Sequence, residues 1–254
     1  MIEPASEPDR CSAPYRVRFD EAAPDGLVRT SVLLRYAQDL AWYHSARHGF
    51  TRAWYGEHEL TWLARAAEVE VLGPLRVGDE VVGTTQVVGW RRVWARRRTD
   101  FVDASGATIA WTHVDWVLLD GRGAPTRVPT ELERGFWAPA TTFPLGRVAL
   151  DPPPEDAHRA TWRVRPQELD PLDHVNNAVY ADWLDEQVDA AGGGGSVRAI
   201  PRTIRLDYAR AIEAGTRVDG SVWRDDTGWS CRLTDATGAE AFRGRLDPLA
   251  RTQA

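Results

Sequence analysis

Apolar positions along this chain switch between two periods, and they do so twice. From Ser31 to Arg47, Val32, Tyr36, Leu40 and Tyr43 recur at three- and four-residue steps. That spacing predicts a helix with one apolar face, ending at Gly49. Ahead of it, Tyr15 to Phe19 reads as a short strand and Pro24-Asp25-Gly26 as a turn. After it come four segments of strand character: Trp62–Leu72, Glu80–Trp90, Val93–Asp103 and Thr108–Leu119. Turn residues at Gly73-Pro74, Trp90-Arg91-Arg92, Ala104-Ser105-Gly106 and Gly121-Arg122-Gly123 separate and close them.

The same succession then recurs. Trp162 to Pro166 reads as a strand. Asn177 to Ala191 reads as a helix whose Val179, Tyr180, Trp183, Leu184 and Val188 share a face, and Gly192–Gly195 as a flexible exit. Val197–Tyr208, Arg217–Arg224, Trp229–Asp235 and Ala239–Leu246 follow as strands. Placing Trp162 on Tyr15 without gaps matches Arg163, Val164 and Arg165 to Arg16, Val17 and Arg18. It also matches Pro171 to Pro24, Val175 to Val28, Val179 to Val32 and Glu186 to Asp39. Beyond the helix a shorter offset sets Ala214-Gly215 on Val77-Gly78. A duplicated α+β unit follows, each copy a long helix held against an antiparallel sheet. The expected division is 13–137, a Pro- and Ala-rich linker over 138–157 with Pro152-Pro153-Pro154 near its end, and 158–249.

A length of 254 residues suits two such units. Net charge is −6 and all 31 basic residues are Arg, so wholesale nucleic-acid binding is not expected; the missing Lys reads as coding bias. Cys11 and Cys231 stand far apart and neither has a CxxC neighbour, so neither a disulfide framework nor a metal site is expected. Met1 to Pro14 is polar, and no run of 18 apolar residues occurs, which suggests a cytoplasmic protein. There is no Gly-x-Ser-x-Gly elbow, phosphate loop or His-Glu-x-x-His, and no cofactor is expected. Trp90, Trp94, Trp111 and Trp116 read as core and sheet packing.

Chemistry concentrates in one turn. Asp170 and His174 precede the second helix, where Asn176 or Asn177 can cap the free N–H groups of the first turn. A carboxylate, an imidazole and a helix N-terminus together suit acyl transfer. Asp170 would be nucleophile or general base, or simply a turn-former, as Asp-Pro often is. His174 would be acid, base or polarising donor, or a structural histidine pinning the turn. Asn176 and Asn177 would act by fixing the N–H groups that meet an oxyanion. Asp185 and Glu186 would face the site or form a solvated helix surface. The first copy lacks this set, with Leu27, Arg29 and Thr30 at the positions of His174, Asn176 and Asn177. One site per chain is expected.

The pattern Asp170-x-x-x-His174-Val175-Asn176-Asn177-x-x-Tyr180, leading into an apolar, acid-tipped helix, resembles the hotdog-fold thioesterases. The two-repeat length and the first half resemble the acyl-acyl-carrier-protein (acyl-ACP) thioesterases. That resemblance implies a double hotdog that hydrolyses an acyl thioester, carried by ACP or CoA, to free acid and thiol. It also implies that the first copy lines the acyl pocket, with Tyr36 and Ala37 from its helix and Tyr180 from the second, and that homodimers are a possible assembly. Plant-type members carry Asp-x-Asn-x-His, and an acid followed by Cys after the second strand of the second copy. Here those positions hold Leu172, Ala211 and Ile212. An Asp-centred mechanism, a hotdog dehydratase or lyase, and a non-catalytic acyl-thioester binding module all follow as readings. An acidic carrier would need a basic patch on this acidic chain. Arg202 and Arg205, with Arg210, are the candidate docking edge; Arg91-Arg92 with Arg96-Arg97-Arg98 is a second cluster, equally readable as solvated strand faces.

Overall fold

The computed structural model describes residues 9–136, 138 and 143–249. Among the described residues, ten strands form one antiparallel sheet. They are β1 (Cys11–Arg16), β2 (Thr61–Val71), β3 (Glu80–Arg91), β4 (Trp94–Asp103), β5 (Thr108–Leu119), β6 (His158–Arg163), β7 (Arg202–Tyr208), β8 (Arg217–Arg224), β9 (Trp229–Asp235) and β10 (Glu240–Pro248). Their order is β1-β3-β4-β5-β2-β7-β10-β9-β8-β6. Read outward from the centre, both halves have the same connectivity. The second strand of each copy meets its counterpart in the middle, with Ala66 opposite Asp207 and Val71 opposite Arg202.

The long helices α1 (Thr30–Arg47) and α4 (Val179–Val188) lie side by side and antiparallel on one face. Arg35 bonds Asp182 at 2.9 Å, and the Asn176 amide reaches Gln38 at 3.2 Å. Inward-facing strand positions, among them Val69, Phe101, Ile204, Leu206 and Phe242, pack under these helices with Leu33, Leu34 and Leu184 in one continuous core. Each such fully buried aliphatic or aromatic side chain contributes roughly 1.5–3 kcal/mol. Short helices α2 (Arg52–Glu57), α3 (Thr130–Gly135) and α5 (Gly194–Val197) complete the set.

The gapless offset seen in the sequence is a structural identity up to the helices. β1 and β6 span equivalent residues, as do the 3-10 turns Phe19–Glu21 and Pro166–Glu168. The bridges Ala22–Val28 and Leu169–Val175 are also equivalent. Tyr36 donates to Glu21 Oε2, and Trp183, at the matching position, donates to Glu168 Oε1.

Several expected elements differ. The first strand is Cys11–Arg16 rather than Tyr15–Phe19, because Phe19 begins the 3-10 turn. Tyr43 is 51% exposed and His44 takes its place on the buried face of α1. α2, a six-residue helix capped by the Thr51 hydroxyl, is too short to give a periodic signal. α4 runs from Val179 to Val188 rather than from Asn177 to Ala191, with Ala178 instead of an asparagine at its N-cap and no side-chain cap. The strand expected from Val197 begins at Arg202.

Gly192–Gly195 is not a loose exit: a π-type turn over Asp189–Gly193 leads into α5. A Cβ on Gly193 would lie 2.5 Å from Val188 Cγ1 and 2.6 Å from Trp229, so the glycine permits close packing.

Of the expected linker, residues 139–142 lie outside the described set. From Phe143 onward it crosses the outer face of the sheet. Gly146 donates to Asp115 Oδ2 at 2.8 Å, Val148 to Asp207 Oδ2 at 3.4 Å, and Arg232 reaches the Asp151 carbonyl at 3.3 Å. Buried Asp115 also takes a two-pronged bond from Arg96.

Candidate active site

β6 and its 3-10 turn deliver the chain to Asp170. The buried Glu168 carboxylate accepts from the Arg165 N–H and the Trp183 indole, fixing the turn to α4. Asp170 N–H donates to the His174 carbonyl at 2.9 Å, and Asp173 N–H to the Asp170 carbonyl at 2.9 Å. Asp170 Oδ1 accepts the Leu172 N–H at 2.8 Å, and among the described residues nothing bonds Oδ2. The turn is thus closed by main-chain bonds and the Asp170 side chain together. Val175 N–H donates to the Ile212 carbonyl, tying the turn to the β7–β8 connection.

The two asparagines divide their work. Asn176 Oδ1 accepts the Ala178 N–H at 3.0 Å and its amide donates to Gln38, so it holds the helix entrance to α1. The Asn177 carbonyl accepts the Tyr208 hydroxyl at 3.0 Å, and its side chain lines the cavity. Among the described residues no acceptor meets the Asn177 N–H. It lies where the positive end of the α4 dipole is concentrated.

A single cavity of about 500 Å³ joins this turn to the first copy. Asp170, His174, Asn177, Tyr180 and Tyr208 line one end. Ala64, Trp116 and Ala95 continue it across the strands, and Val87, Arg97, Tyr55 and Ser45 line the far part. Its wall is mostly apolar with a few polar groups, the usual character of a small-molecule site. Tyr180 sits in an aromatic cluster with Tyr208 and Phe242. Burial, and then the charge of Asp170, push the Tyr180 hydroxyl pKa up, so it stays a protonated donor. His174 Nδ1 is buried without a partner among the described residues. The Asp170 and His174 side chains share the cavity and do not bond each other.

Other residues singled out from the sequence fall elsewhere. Tyr36 and Ala37 belong to the core beneath α1, not to the cavity wall, where α1 instead presents Gln38, Ala41, Trp42 and Ser45. Asp185 turns away from the cavity towards Arg202, and Glu186 is exposed. Arg202 is only 5% exposed, with Nη1 on the Ala199 carbonyl and Nη2 on the Thr30 hydroxyl, so no carrier can reach it. Arg205 pairs with Asp247 on the outer face. Arg210, the third of that cluster, is exposed and lines the cavity mouth. Ala211 also lines the mouth and offers no acid, while buried Ile212 offers no thiol. Leu172 is 44% exposed at the same rim. Of the four tryptophans read as packing, Trp90 and Trp116 line the cavity. Gln38, Tyr55 and Tyr208 escaped the sequence reading, and Arg97 entered it as part of a surface cluster rather than as a cavity residue. Only Arg97 left a signal there: it shares strand parity with Ala95, Thr99 and Phe101, all buried.

Comparison with known proteins agrees with this architecture. Residues 9–136 match the family described as acyl-ACP thioesterase N-terminal domain, and residues 152–245 its C-terminal domain. A putative oleoyl thioesterase from Lactobacillus plantarum superposes with a TM-score of 0.81 at 17% identity, covering 97% of this chain and 99% of that one. The 12:0-ACP thioesterase from Umbellularia californica gives 0.77 at 19%, covering 94% and 96%. An acyl-ACP thioesterase from Bacteroides thetaiotaomicron gives 0.76 at 14%, covering 94% and 97%. At these identities the structural likeness speaks for the fold. No curated protein matches the chain. Among the described residues no helix is long and apolar enough to cross a membrane.

Proposed function

The chain belongs to the acyl-ACP thioesterase family and is a thioester hydrolase with a double-hotdog fold, and from that premise we propose that Asp170 and His174 carry the reaction at the mouth of the first copy's acyl pocket. The observation that supports this most is the continuity of one cavity from Asp170, on the second copy's turn, to Arg97, deep in the first.

In this reading the acyl chain lies between α1 and the sheet, and the thioester carbonyl stops at the start of α4. The free Asp170 oxygen takes a proton from water as that water attacks the carbonyl carbon. The oxyanion is met by the Asn177 N–H and the helix end, a preorganised positive site that needs no reorganisation in the transition state. Tyr180, protonated and beside Asp170, orients the carbonyl or the water. The C–S bond then breaks. The proton that Asp170 took from water passes to the leaving thiolate with His174 as relay, so Asp170 returns to its carboxylate form and acid and thiol are the products. Asp170 works here without an acid or thiol at Ala211 and Ile212, so the chemistry is Asp-centred.

The carrier partner is acyl carrier protein, approaching over Leu172 and Arg210. One chain supplies both pocket wall and polar turn, so the mechanism does not require a homodimer. A hydrolysis panel of acyl-ACP and acyl-CoA across chain lengths tests the reading. Turnover on acyl-ACP should exceed that on acyl-CoA, and Asp170→Asn, which keeps size and removes charge, should lower it at least ~10²-fold. A folded Asp170→Asn protein working near the wild-type rate would remove Asp170 from the mechanism.

A further inference from the structure

The part of the cavity lined from β4 holds a charge among apolar walls. Arg97 lies on β4, three strands from β7 in the sheet, which is about 14 Å at the spacing of paired strands. It is 8% exposed and lines the cavity. Its Nη1 meets His44 Nδ1 at 2.8 Å, and its plane lies over Phe136, 5.4 Å from the ring centroid. A guanidinium only donates, so His44 Nδ1 must accept and the imidazole proton sits on Nε2, which donates to Asp9 at 2.7 Å. Asp9 also meets His48 Nε2 at 2.6 Å. Asp9, His44 and His48 bring ligand-type atoms within 4.8 Å of one another. That bonding pattern leaves His44 no lone pair for a metal ion, so the cluster serves as a brace for Arg97.

The brace engages one edge of the guanidinium. Of five N–H groups, the described residues accept from one. No carboxylate among them lies within ion-pair distance of Arg97, and the negative charge of Asp9 reaches it only through the imidazole. A buried cation in this state is costly unless something pairs with it. A plain alkyl chain filling the cavity would strip water from the remaining donors and give nothing back. An oxygen acceptor at the end of the chain would satisfy them.

We infer that the acyl group this enzyme releases carries an oxygen acceptor at its distal end, a carboxylate foremost, seated on Arg97 while the thioester sits at Asp170. The inference rests on the thioesterase reading for the orientation of the chain. Arg97 is then a specificity residue rather than a catalytic one, and Ser45 and Tyr55 complete a polar floor around it.

The test compares acyl-pantetheine substrates of matched length ending in methyl, hydroxyl or carboxylate, on the intact protein, together with binding of their non-hydrolysable amide analogues by calorimetry. At the length that spans the cavity, the carboxylate-ended analogue should bind about tenfold or more tightly than the methyl-ended one, the scale of one charged hydrogen bond. kcat/KM should follow the same order. Arg97→Met should abolish the preference and improve methyl-ended chains. If wild type binds and turns over methyl-ended chains as well as or better than the others at every length, the inference falls and the thioesterase reading stands. If the carboxylate preference in binding appears without turnover of any thioester, the hydrolase reading falls and the ligand inference stands. The wild-type comparison decides even if Arg97→Met does not fold.

Discussion

Gly26 and Asp173 occupy the same corner of the same turn in the two copies, both with a left-handed backbone, φ 81° and 61°. Glycine adopts that region freely, whereas a residue with a Cβ is strained there by about 1 kcal/mol or more. The first copy has the relaxed residue in a turn without chemistry. The second copy has the strained one in the turn that holds Asp170 and His174.

Asp173→Gly should therefore raise stability by up to about 1 kcal/mol, offset in part by the greater freedom of glycine in the unfolded chain. Chemical denaturation measures it. A loss of more than about 1 kcal/mol would mean that the Asp173 side chain makes a contact that matters more than its backbone strain.

Ala41 is the small α1 residue that lines the cavity, while Ala37 is core. Ala41→Trp should fill the path between the turn and Arg97. Long acyl chains should lose at least about tenfold in kcat/KM, while the shortest keep most of their rate, since each excluded methylene is worth about 1–3 kcal/mol. A uniform loss over a chain-length series would indicate general damage instead of a shortened pocket.

Arg210 stands exposed at the cavity mouth, 3.6 Å from Asp235. A carrier that is acidic would meet it on docking. Arg210→Glu should cut kcat/KM on acyl-ACP several-fold and leave a small acyl-pantetheine substrate nearly unchanged. Equal losses on both would place Arg210 in the structure of the mouth, not in docking.

His44 and Asp185 give opposite pH dependence. Burial, and then the charge of Arg97, push His44 down to about 4. The folded protein takes up this proton less readily than the unfolded chain, with its ordinary value near 6.5. The contribution is complete above about 6.5 and is lost as pH falls towards 4. Burial pushes Asp185 up to about 7, against the nearby Arg202 charge. Here the folded state holds the proton more tightly, so stability falls as pH rises from about 4 to about 7 and is level beyond. Asp185→Asn should remove that opposing slope, up to about 1.4 kcal/mol per pH unit. Urea denaturation at pH 5 and pH 7 should then show a larger gain towards neutrality than in wild type. An unchanged difference would mean that Asp185 does not titrate in this range.

Consecutive residues were enough to place the elements and reveal their duplication. Periodicity placed α1, α4 and most strands, because a long helix and an alternating strand carry their burial pattern in consecutive residues. The gapless match between Tyr15 and Trp162 located equivalent turns, and Asp170, His174 and Asn177 stood out because turn chemistry is local. Which side chains share a space depended on how the elements pack. That α1 presents Ala41 and Ser45 to the cavity while Tyr36 and Ala37 stay in the core depends on how the helix is rotated against the sheet. Burial of Arg202 depends on the two copies meeting at β2 and β7, where it pairs opposite Val71 and under Thr30. The tandem Arg96-Arg97-Arg98 reads as three equal charges. Strand pleat and the elements on either face send Arg96 to Asp115, Arg98 to Asp100 and Arg97 to the floor of the cavity.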